Sequence, residues 1–219
     1  MFRDFTDEES GLIQRVQAHQ KGLIARGHSL TELLVCVAQD GVTIIDDTIG
    51  SNDRVELTAP MLQEIATNGG CILIHNHPSE GSLSYSDWSL AAGNPGIGEI
   101  VAVNSSGSIF RGRTIGSAKT SLESKIKVGD VAPDVGQAVL NSLWDLFKAK
   151  LVEGIEMPNP GALENLMSWI WSHLVNERLK ELGLVEYEAT LSEVDVATLS
   201  DAELAPFIET GRGEVAKRV

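Results

Sequence analysis

Apolar residues recur at helical spacing near the start of the chain, behind a capping signal. Thr6 and Glu9 have the spacing of a capping box, in which each side chain bonds the backbone of the other residue. The apolar positions that follow are Leu12, Ile13, Val16, Leu23 and Ile24. This pattern predicts an amphipathic helix over 7–26.

Continuous apolar runs then predict the strands of a sheet. The predicted strands cover 33–38, 42–45, 54–57, 71–74, 100–103 and 108–110. Asp40-Gly41 and Ser106-Gly107 each stand between two of these runs, where they favour a hairpin turn. Helices are predicted between strands, after Pro60 and over 86–92. The first half of the chain therefore predicts an α/β fold, with a mixed sheet flanked by helices.

Beyond residue 115 the pattern becomes mostly helical. Two long helices are predicted over 135–150 and 163–182, and Gly183 is the expected terminator of the second. The acidic segment after Tyr187 predicts a short helix over 200–208. From Gly211 we expect a mobile tail.

This change of character predicts two parts. Residues 1–115, with the N-terminal helix included, form the α/β domain, and residues 116–219 form a mostly helical extension. Three tryptophans of the extension, Trp144, Trp169 and Trp171, make it a candidate protein interface.

Composition and charge narrow the classes of protein that fit this chain. Of the 219 residues, 42% are apolar and 22% are charged, which is typical of a globular protein with its own core. The formal net charge is −14, and acidic residues outnumber basic ones in both halves, so a nucleic-acid-binding surface is not expected. The acidic charge instead favours a neutral or basic protein surface as the partner. Because no apolar run has the length of a membrane span and no secretory signal follows Met1, we expect a cytoplasmic location. Cys36 and Cys71 lie in apolar runs and are expected to be buried thiols.

Two histidines at the end of a predicted strand carry the strongest sign of chemistry. His75 and His77 follow the buried run 71–74 directly, and Pro78 turns the chain away from the strand. Asp87 lies at the start of the next predicted helix, where it could also be a favourable charge near the helix N-terminus. Two imidazoles and one carboxylate make a three-ligand zinc site, which leaves a fourth position for water, as in catalytic zinc centres. The sequence therefore predicts a catalytic Zn²⁺ site held by His75, His77 and Asp87.

A hydrolytic zinc centre also needs a group that accepts a proton from the metal water. Glu32 precedes the predicted strand 33–38 of the same sheet, which would bring its carboxylate to a neighbouring strand end. Glu56 is the alternative base. An exposed position at the entry to the strand is the alternative for Glu32 itself.

These residues together resemble the motif of the JAMM, or MPN-plus, zinc metalloproteases. That motif pairs an upstream glutamate with His-x-His-Pro, a serine, and an aspartate three positions after the serine. Glu32, His75-Asn76-His77-Pro78 and Ser84-Tyr85-Ser86-Asp87 match it in order. The run from His75 to Ser79 is particularly similar to the bacterial branch that includes RadC-type proteins. The resemblance covers about residues 30–112.

The resemblance implies a cytidine-deaminase-like α/β fold with Zn²⁺ on His75, His77 and Asp87. It implies that Glu32 passes a proton from the metal water to the leaving amine, and that Ser84 donates a hydrogen bond to the oxyanion of the scissile carbonyl. Family members hydrolyse peptide or isopeptide bonds, often after the C-terminal glycine of ubiquitin or a ubiquitin-like protein. The expected activity is therefore that of a bacterial, deubiquitinase-like zinc metallopeptidase acting on a protein substrate.

Several alternatives stay open from the residues themselves. Ser84 also fits the N-cap of the helix that carries Asp87, and Trp88 fits either core packing or the wall of a substrate groove. The alternative functions are a RadC-like role linked to nucleic acid and a non-catalytic MPN interaction module. A zinc deaminase is not expected, because the Pro-Cys-x-x-Cys ligand pair of that class is absent.

Two positions depart from the family pattern. The interval from Pro78 to Ser84 is one residue shorter than in the eukaryotic deubiquitinases. Glu80 stands where RadC-type sequences usually carry glycine, and a carboxylate there would disfavour an acidic substrate tail.

Overall fold

The computed structural model describes residues 2–27, 31–51, 55–67, 70–77, 81–116, 138, 160–202 and 204–219. Six strands and six helices are found among them. The strands are β1 (Leu33–Ala38), β2 (Ile44–Ile49), β3 (Cys71–Asn76), β4 (Ile97–Val103), β5 (Ile109–Thr114) and β6 (Val185–Thr190). The helices are α1 (Asp7–Ala25), α2 (Ala59–Thr67), α3 (Tyr85–Gly93), α4 (Pro160–Glu181), α5 (Glu193–Leu199) and α6 (Ala205–Arg218).

The described strands form one mixed sheet in the order β2-β1-β3-β4-β5-β6. Strands β3 and β4 run parallel, and the other neighbouring pairs are antiparallel. Because a parallel pair needs a crossover, α3 connects the end of β3 to the start of β4. The N-terminus of α3 therefore lies near the end at which β3 finishes. The predicted mixed α/β sheet is confirmed.

Alternate residues of β3 face two separate apolar layers, as the period of a strand requires. Ile72 and Ile74 pack with Val16 of α1 on one side of the sheet. Cys71 and Leu73 pack on the other side, with helices α2 and α3 and with apolar residues of the C-terminal segment. The sheet is thus covered on both faces.

Helix α1 confirms its predicted start. Both hydrogen bonds of the capping box between Thr6 and Glu9 are present. Leu12, Val16 and Leu23 are buried, whereas Ile24 is 50% exposed and does not belong to the buried face.

Two further expectations concern the cysteines and the membrane. Cys36 on β1 and Cys71 on β3 are buried free thiols, as predicted. Across the described helices, we find no stretch with the length and apolar character needed to span a bilayer.

The strand predicted over 54–57 is wrong. Residues 55–57 are irregular, and β2 instead continues to Ile49. Val55 and Leu57 are apolar because they pack, partly buried, against the core from a connecting segment. The two predicted hairpins are confirmed, as β1 with β2 and β4 with β5, and their strands are longer than the apolar runs.

The segment after α4 contains more secondary structure than its acidic sequence predicts. Strand β6 pairs antiparallel with β5 and extends the sheet. Val185 and Tyr187 are buried on it and alternate with the more exposed Glu186 and Glu188. This alternation is the sequence signal of a half-buried strand.

The predictions for the last twenty residues are also corrected. The short helix expected over 200–208 is replaced by α5, which ends at Leu199, and by α6, which begins at Ala205. The mobile tail expected from Gly211 is wrong, because α6 runs to Arg218. Gly211 lies so close to Trp171 that a Cβ there would come within 2.9 Å of the ring.

The long helix predicted over 163–182 corresponds to α4, which is followed by Gly183 with a φ of 69°. The helix predicted over 135–150, with Trp144, lies outside the described residues apart from Ala138. Pro78 and Glu80 also lie outside them. The division into two parts at residue 115 stays a prediction.

Candidate metal centre

The register of β1 against β3 brings Glu32 beside the two histidines. Leu34 pairs with His75 in this antiparallel ladder, so the same register continued by two residues sets Glu32 opposite His77. Because side chains alternate along a strand, all three functional side chains face the side of the sheet that carries α3. Ligand atoms of Glu32, His75 and His77 lie within 4.8 Å of one another. These residues form a group that could hold a metal ion.

The crossover helix adds Asp87 to this group. Its Oδ1 lies 3.2 Å from Nε2 of His75, and its Oδ2 lies 3.2 Å from Nε2 of His77. The two Nε2 atoms are 2.8 Å apart. Both histidines are buried, with 4% and 6% of their surface exposed. Asp87 reaches them because α3 starts where β3 ends.

The spacing of these atoms fits the coordination shell of a small cation. Ligands that are ~2.05 Å from a tetrahedral zinc ion lie about 3.3 Å from one another. The three observed separations, 2.8, 3.2 and 3.2 Å, are close to this value. Imidazole nitrogen and carboxylate oxygen are also donors that zinc accepts. The spacing and the donor atoms are therefore compatible with a bound metal ion.

The crowding of these groups shifts the pKa values of His77 and Asp87. Burial lowers the pKa of His77, but the Asp87 and Glu32 carboxylates and the Gly81 carbonyl outweigh it and raise the pKa to about 9. Burial raises the pKa of Asp87, but the two histidines outweigh it and hold the pKa well below its ordinary value. Metal binding to His77 would have to displace a proton, because a coordinating imidazole nitrogen must be unprotonated.

Neighbouring groups orient two of the candidate ligands. Nδ1 of His77 donates to the carbonyl of Gly81 at 3.0 Å, and a proton on Nδ1 leaves Nε2 as the coordinating atom once its own proton is lost. Oδ2 of Asp87 accepts from the backbone N–H of Ser84 at 2.6 Å and from its hydroxyl at 2.7 Å. Among the described residues, Nδ1 of His75 is buried without a hydrogen-bond partner.

Ser84 is the N-cap of α3. Its hydroxyl oxygen accepts from the backbone N–H of Asp87 at 3.3 Å, which completes a reciprocal capping box. The structural alternative for Ser84 is therefore observed. It also orients Asp87 toward the histidines.

No protein-family model, curated protein or solved structure matches this chain. The likeness to the JAMM motif therefore depends on the residues themselves and on their arrangement. Glu32, His75 and His77 support a metal-binding group. The individual roles predicted for these residues, and those of Asp87 and Ser84, stay predictions.

Two polar residues that the sequence did not single out hold the backbone of the site. Asn76 accepts from the backbone N–H of Leu33 at 2.8 Å and donates to the carbonyl of Thr31 at 3.1 Å, so its amide brackets Glu32. Gln20 of α1 is fully buried and donates to the carbonyl of His77 at 2.8 Å. A sequence signal exists for Gln20, because it lies four positions after the buried Val16 on an apolar helix face.

Trp88 packs in the core rather than along a groove. It is 2% exposed, and its Nε1 donates to Oδ1 of Asn176 at 2.7 Å. Its ring lies over Gly112 of β5, where a Cβ would come within 2.4 Å. The packing interpretation of Trp88 is therefore confirmed. The glycine allows α3, with Asp87, to approach the sheet closely.

Proposed function

We propose that the chain is a zinc-dependent peptidase or isopeptidase of the JAMM type, with a cytidine-deaminase-like α/β fold. The observation that carries this proposal is the convergence of His75, His77 and Asp87, whose ligand atoms are 2.8–3.2 Å apart, with the Glu32 carboxylate beside them. The order of elements also supports it. A glutamate enters one strand, two histidines end the antiparallel neighbour, and an aspartate follows at the start of the crossover helix.

In this proposal, His75, His77 and Asp87 hold the zinc and Glu32 acts as the general base. Bound zinc supplies a Lewis acid that lowers the pKa of a water molecule to about 7. Glu32 takes a proton from the attacking water and returns it to the leaving amine. Its position supports this role, because its carboxylate lies within 4.8 Å of a ring nitrogen of both histidines.

Ser84 would serve the reaction through two different groups. Its backbone N–H keeps Asp87 in place, at 2.6 Å from Oδ2. Its hydroxyl also donates to Asp87, at 2.7 Å, and would have to rotate toward the substrate to donate to a developing oxyanion. The proposal therefore assigns orientation of Asp87 to the backbone N–H and hydroxyl of Ser84 before substrate binds, and oxyanion stabilisation to the hydroxyl after it rotates.

The proposed substrate is a protein that carries a peptide or isopeptide linkage, such as a conjugate of a ubiquitin-like modifier. The net charge of −14 favours a neutral or basic protein surface as the partner and disfavours nucleic acid. The resemblance to the JAMM motif supports the class of bond. Cleavage of such a substrate is the activity to measure.

The proposal is tested by metal analysis and by cleavage of linear and isopeptide-linked fusions of ubiquitin-like proteins. Wild-type protein purified with zinc should contain one zinc per chain, and His75→Ala should contain none. Glu32→Gln should retain zinc and lose about 10²–10⁴ in kcat. Glu56→Gln is the matched control, because Glu56 is exposed and is the alternative base, and its kcat should be unchanged.

Three outcomes would contradict the proposal. Wild-type protein without zinc would exclude a zinc centre. Full activity in Glu32→Gln would remove Glu32 from the base role, and loss of activity in Glu56→Gln would transfer that role. Bound zinc without cleavage of any tested linkage would contradict the peptidase assignment.

A further inference from the structure

One buried side chain of α4 contacts the chain on both sides of the segment from Ser84 to Asp87. Asn176 is 1% exposed. Its Nδ2 donates to the hydroxyl of Ser82 at 3.0 Å and to the carbonyl of Leu83 at 2.9 Å, and its Oδ1 accepts from Nε1 of Trp88 at 2.7 Å. Ser82 and Leu83 directly precede Ser84, and Trp88 directly follows Asp87.

Two more groups of the C-terminal segment hold the same turn. The hydroxyl of Ser172, also on α4, accepts from the backbone N–H of Ser82 at 3.0 Å. The hydroxyl of Tyr187, on β6, lies 2.8 Å from that of Ser82. Ser82 is itself 1% exposed, and its backbone N–H and its hydroxyl both have hydrogen-bond partners far away in sequence.

The geometry of the candidate metal centre depends on these contacts. Asp87 must keep both carboxylate oxygens near the histidines, and Ser84 must keep its N–H on Oδ2. The turn before Ser84 and the ring after Asp87 are both held by Asn176. If the amide of Asn176 were removed, buried polar groups of Ser82, Leu83 and Trp88 would lose partners, and the segment between them would move to regain hydrogen bonds with water.

We propose that Asn176 is a positioning residue for Ser84 and Asp87, and that the segment 169–190 thereby completes the metal centre. This inference rests on the proposed function for its effect on metal affinity. The hydrogen bonds of Asn176 to Ser82, Leu83 and Trp88 do not depend on a metal. In this proposal, the C-terminal segment that the sequence predicts as a separate helical extension helps to hold Ser84 and Asp87 in position.

The experiment compares Asn176→Ala with Leu174→Ala in the full-length chain. Leu174 is 5% exposed, lies on the same helix, and has a side-chain carbon 3.3 Å from where a Cβ of Gly211 on α6 would be. Both variants remove buried contacts of α4, so they control for general destabilisation. Amide hydrogen exchange of residues 82–88 and zinc affinity against a chromophoric chelator are measured for each. Tyr187→Phe, which removes one hydroxyl from the same turn, is measured in parallel.

For Asn176→Ala we expect exchange at 82–88 to accelerate at least about tenfold more than in Leu174→Ala, and the zinc Kd to rise about 10–100-fold, as for other residues that orient ligands. In Leu174→Ala the zinc Kd should stay near that of wild type. Exchange at 82–88 that is equal in the two variants would overturn the inference. If Asn176→Ala does not fold, the same comparison is made between Asn176→Asp and Leu174→Ala, because aspartate keeps the shape of the side chain and removes the donors to Ser82 and Leu83; equal exchange again overturns the inference.

A wild-type chain that binds no zinc would refute the proposed function, and the exchange comparison would still decide the role of Asn176. Normal zinc binding with an unchanged Kd in a folded Asn176→Ala variant would refute the inference and leave the proposed function standing. The two failures are therefore distinguishable.

Discussion

Asn76 accepts a hydrogen bond through its side-chain oxygen from the backbone N–H of Leu33, at 2.8 Å. Its amide nitrogen donates to the carbonyl of Thr31 at 3.1 Å. The residue between His75 and His77 therefore holds the backbone on both sides of Glu32. A single amide couples the strand that carries the histidines to the strand that carries the candidate base.

Replacement of Asn76 should separate metal binding from turnover. In Asn76→Ala the N–H of Leu33 and the carbonyl of Thr31 lose their partner, which should cost about 1–3 kcal/mol of unfolding free energy. We expect zinc content to be retained and kcat to fall, because the ligands keep their strand while Glu32 loses its support. Metal analysis, urea unfolding and cleavage kinetics measure these effects.

Asn94→Ala is the matched control for this substitution. Asn94 is the C-cap of α3; its side chain donates to the carbonyl of Leu90 at 2.9 Å and does not belong to the site. Its kcat should equal that of wild type. An Asn76→Ala variant with normal kcat at a temperature where it is folded would show that Glu32 needs no such support.

Ser84→Ala should weaken both the helix and the metal site. The substitution removes the N-cap of α3, worth about 1 kcal/mol, and the hydroxyl bond to Asp87. Ser192→Ala is a close control, because the hydroxyl of Ser192 at the N-cap of α5 accepts from the backbone N–H of Asp195, as that of Ser84 does from Asp87. Similar losses of stability are expected in urea unfolding, with a weaker zinc affinity only for Ser84→Ala. Equal zinc affinities in the two variants would show that the Ser84 hydroxyl does not help to orient Asp87 and would leave that role to the backbone N–H.

Gly112→Ala should disturb the metal centre through Trp88, whose ring lies over Gly112 and which follows Asp87 on α3. A Cβ at residue 112 would lie 2.4 Å from both Leu83 and the Trp88 ring. Overpacking of this kind costs about 1–3 kcal/mol and would push α3 away from the sheet. Zinc affinity and thermal unfolding should both fall.

Gly98→Ala on β4 provides the comparison, since a Cβ there would make ordinary contacts at 3.5 and 3.6 Å. Its stability should match or slightly exceed that of wild type. A Gly112→Ala variant as stable as Gly98→Ala would mean that Trp88 can relax without cost.

Stability should decrease in mild acid because of His173. Burial lowers the pKa of this histidine, which packs against Tyr187 and lies near Glu177 and Arg212. With a folded pKa below the unfolded value of ~6.5, its contribution is present above pH ~6.5 and is lost as the pH falls through the folded pKa. The slope contributed by one such group is at most ~1.4 kcal/mol per pH unit.

Urea unfolding of wild type and His173→Asn between pH 7.5 and 5 measures this effect. Asparagine does not titrate in this range, so the variant should lose less stability across the interval than wild type does. Equal losses in the two proteins would assign the acid sensitivity to other groups.

Local signals in the sequence predict much of this fold. The capping box at Thr6, the apolar run of β3 and the turn at Asp40-Gly41 each depend on residues within a few positions, and all three are observed. Strand β6 also has a local signal, because Val185 and Tyr187 alternate with glutamates. The acidic composition of the segment outweighed this signal in the sequence-based prediction.

Apolar residues that pack from irregular segments are harder to predict. Val55 and Leu57 alternate like a strand because they contribute to the core. An alternating apolar pattern shows only that a segment is half-buried. Whether that segment forms a strand depends on whether a partner strand lies beside it, so the pattern is the same for a strand and for an irregular segment that packs on the core. The helical turn of α6 past Gly211 likewise depends on its contact with Trp171.

The sequence by itself determined the donor set of the candidate metal centre, because His75 and His77 are two positions apart on one strand and Ser84 and Asp87 share one helix turn. The tertiary structure decided how these parts meet. The β1–β3 register sets Glu32 opposite His77, and Asn176 reaches Ser82 across 94 positions. No local sequence pattern predicts such contacts, because they join residues that are far apart along the chain. They form only when the elements that carry these residues pack together.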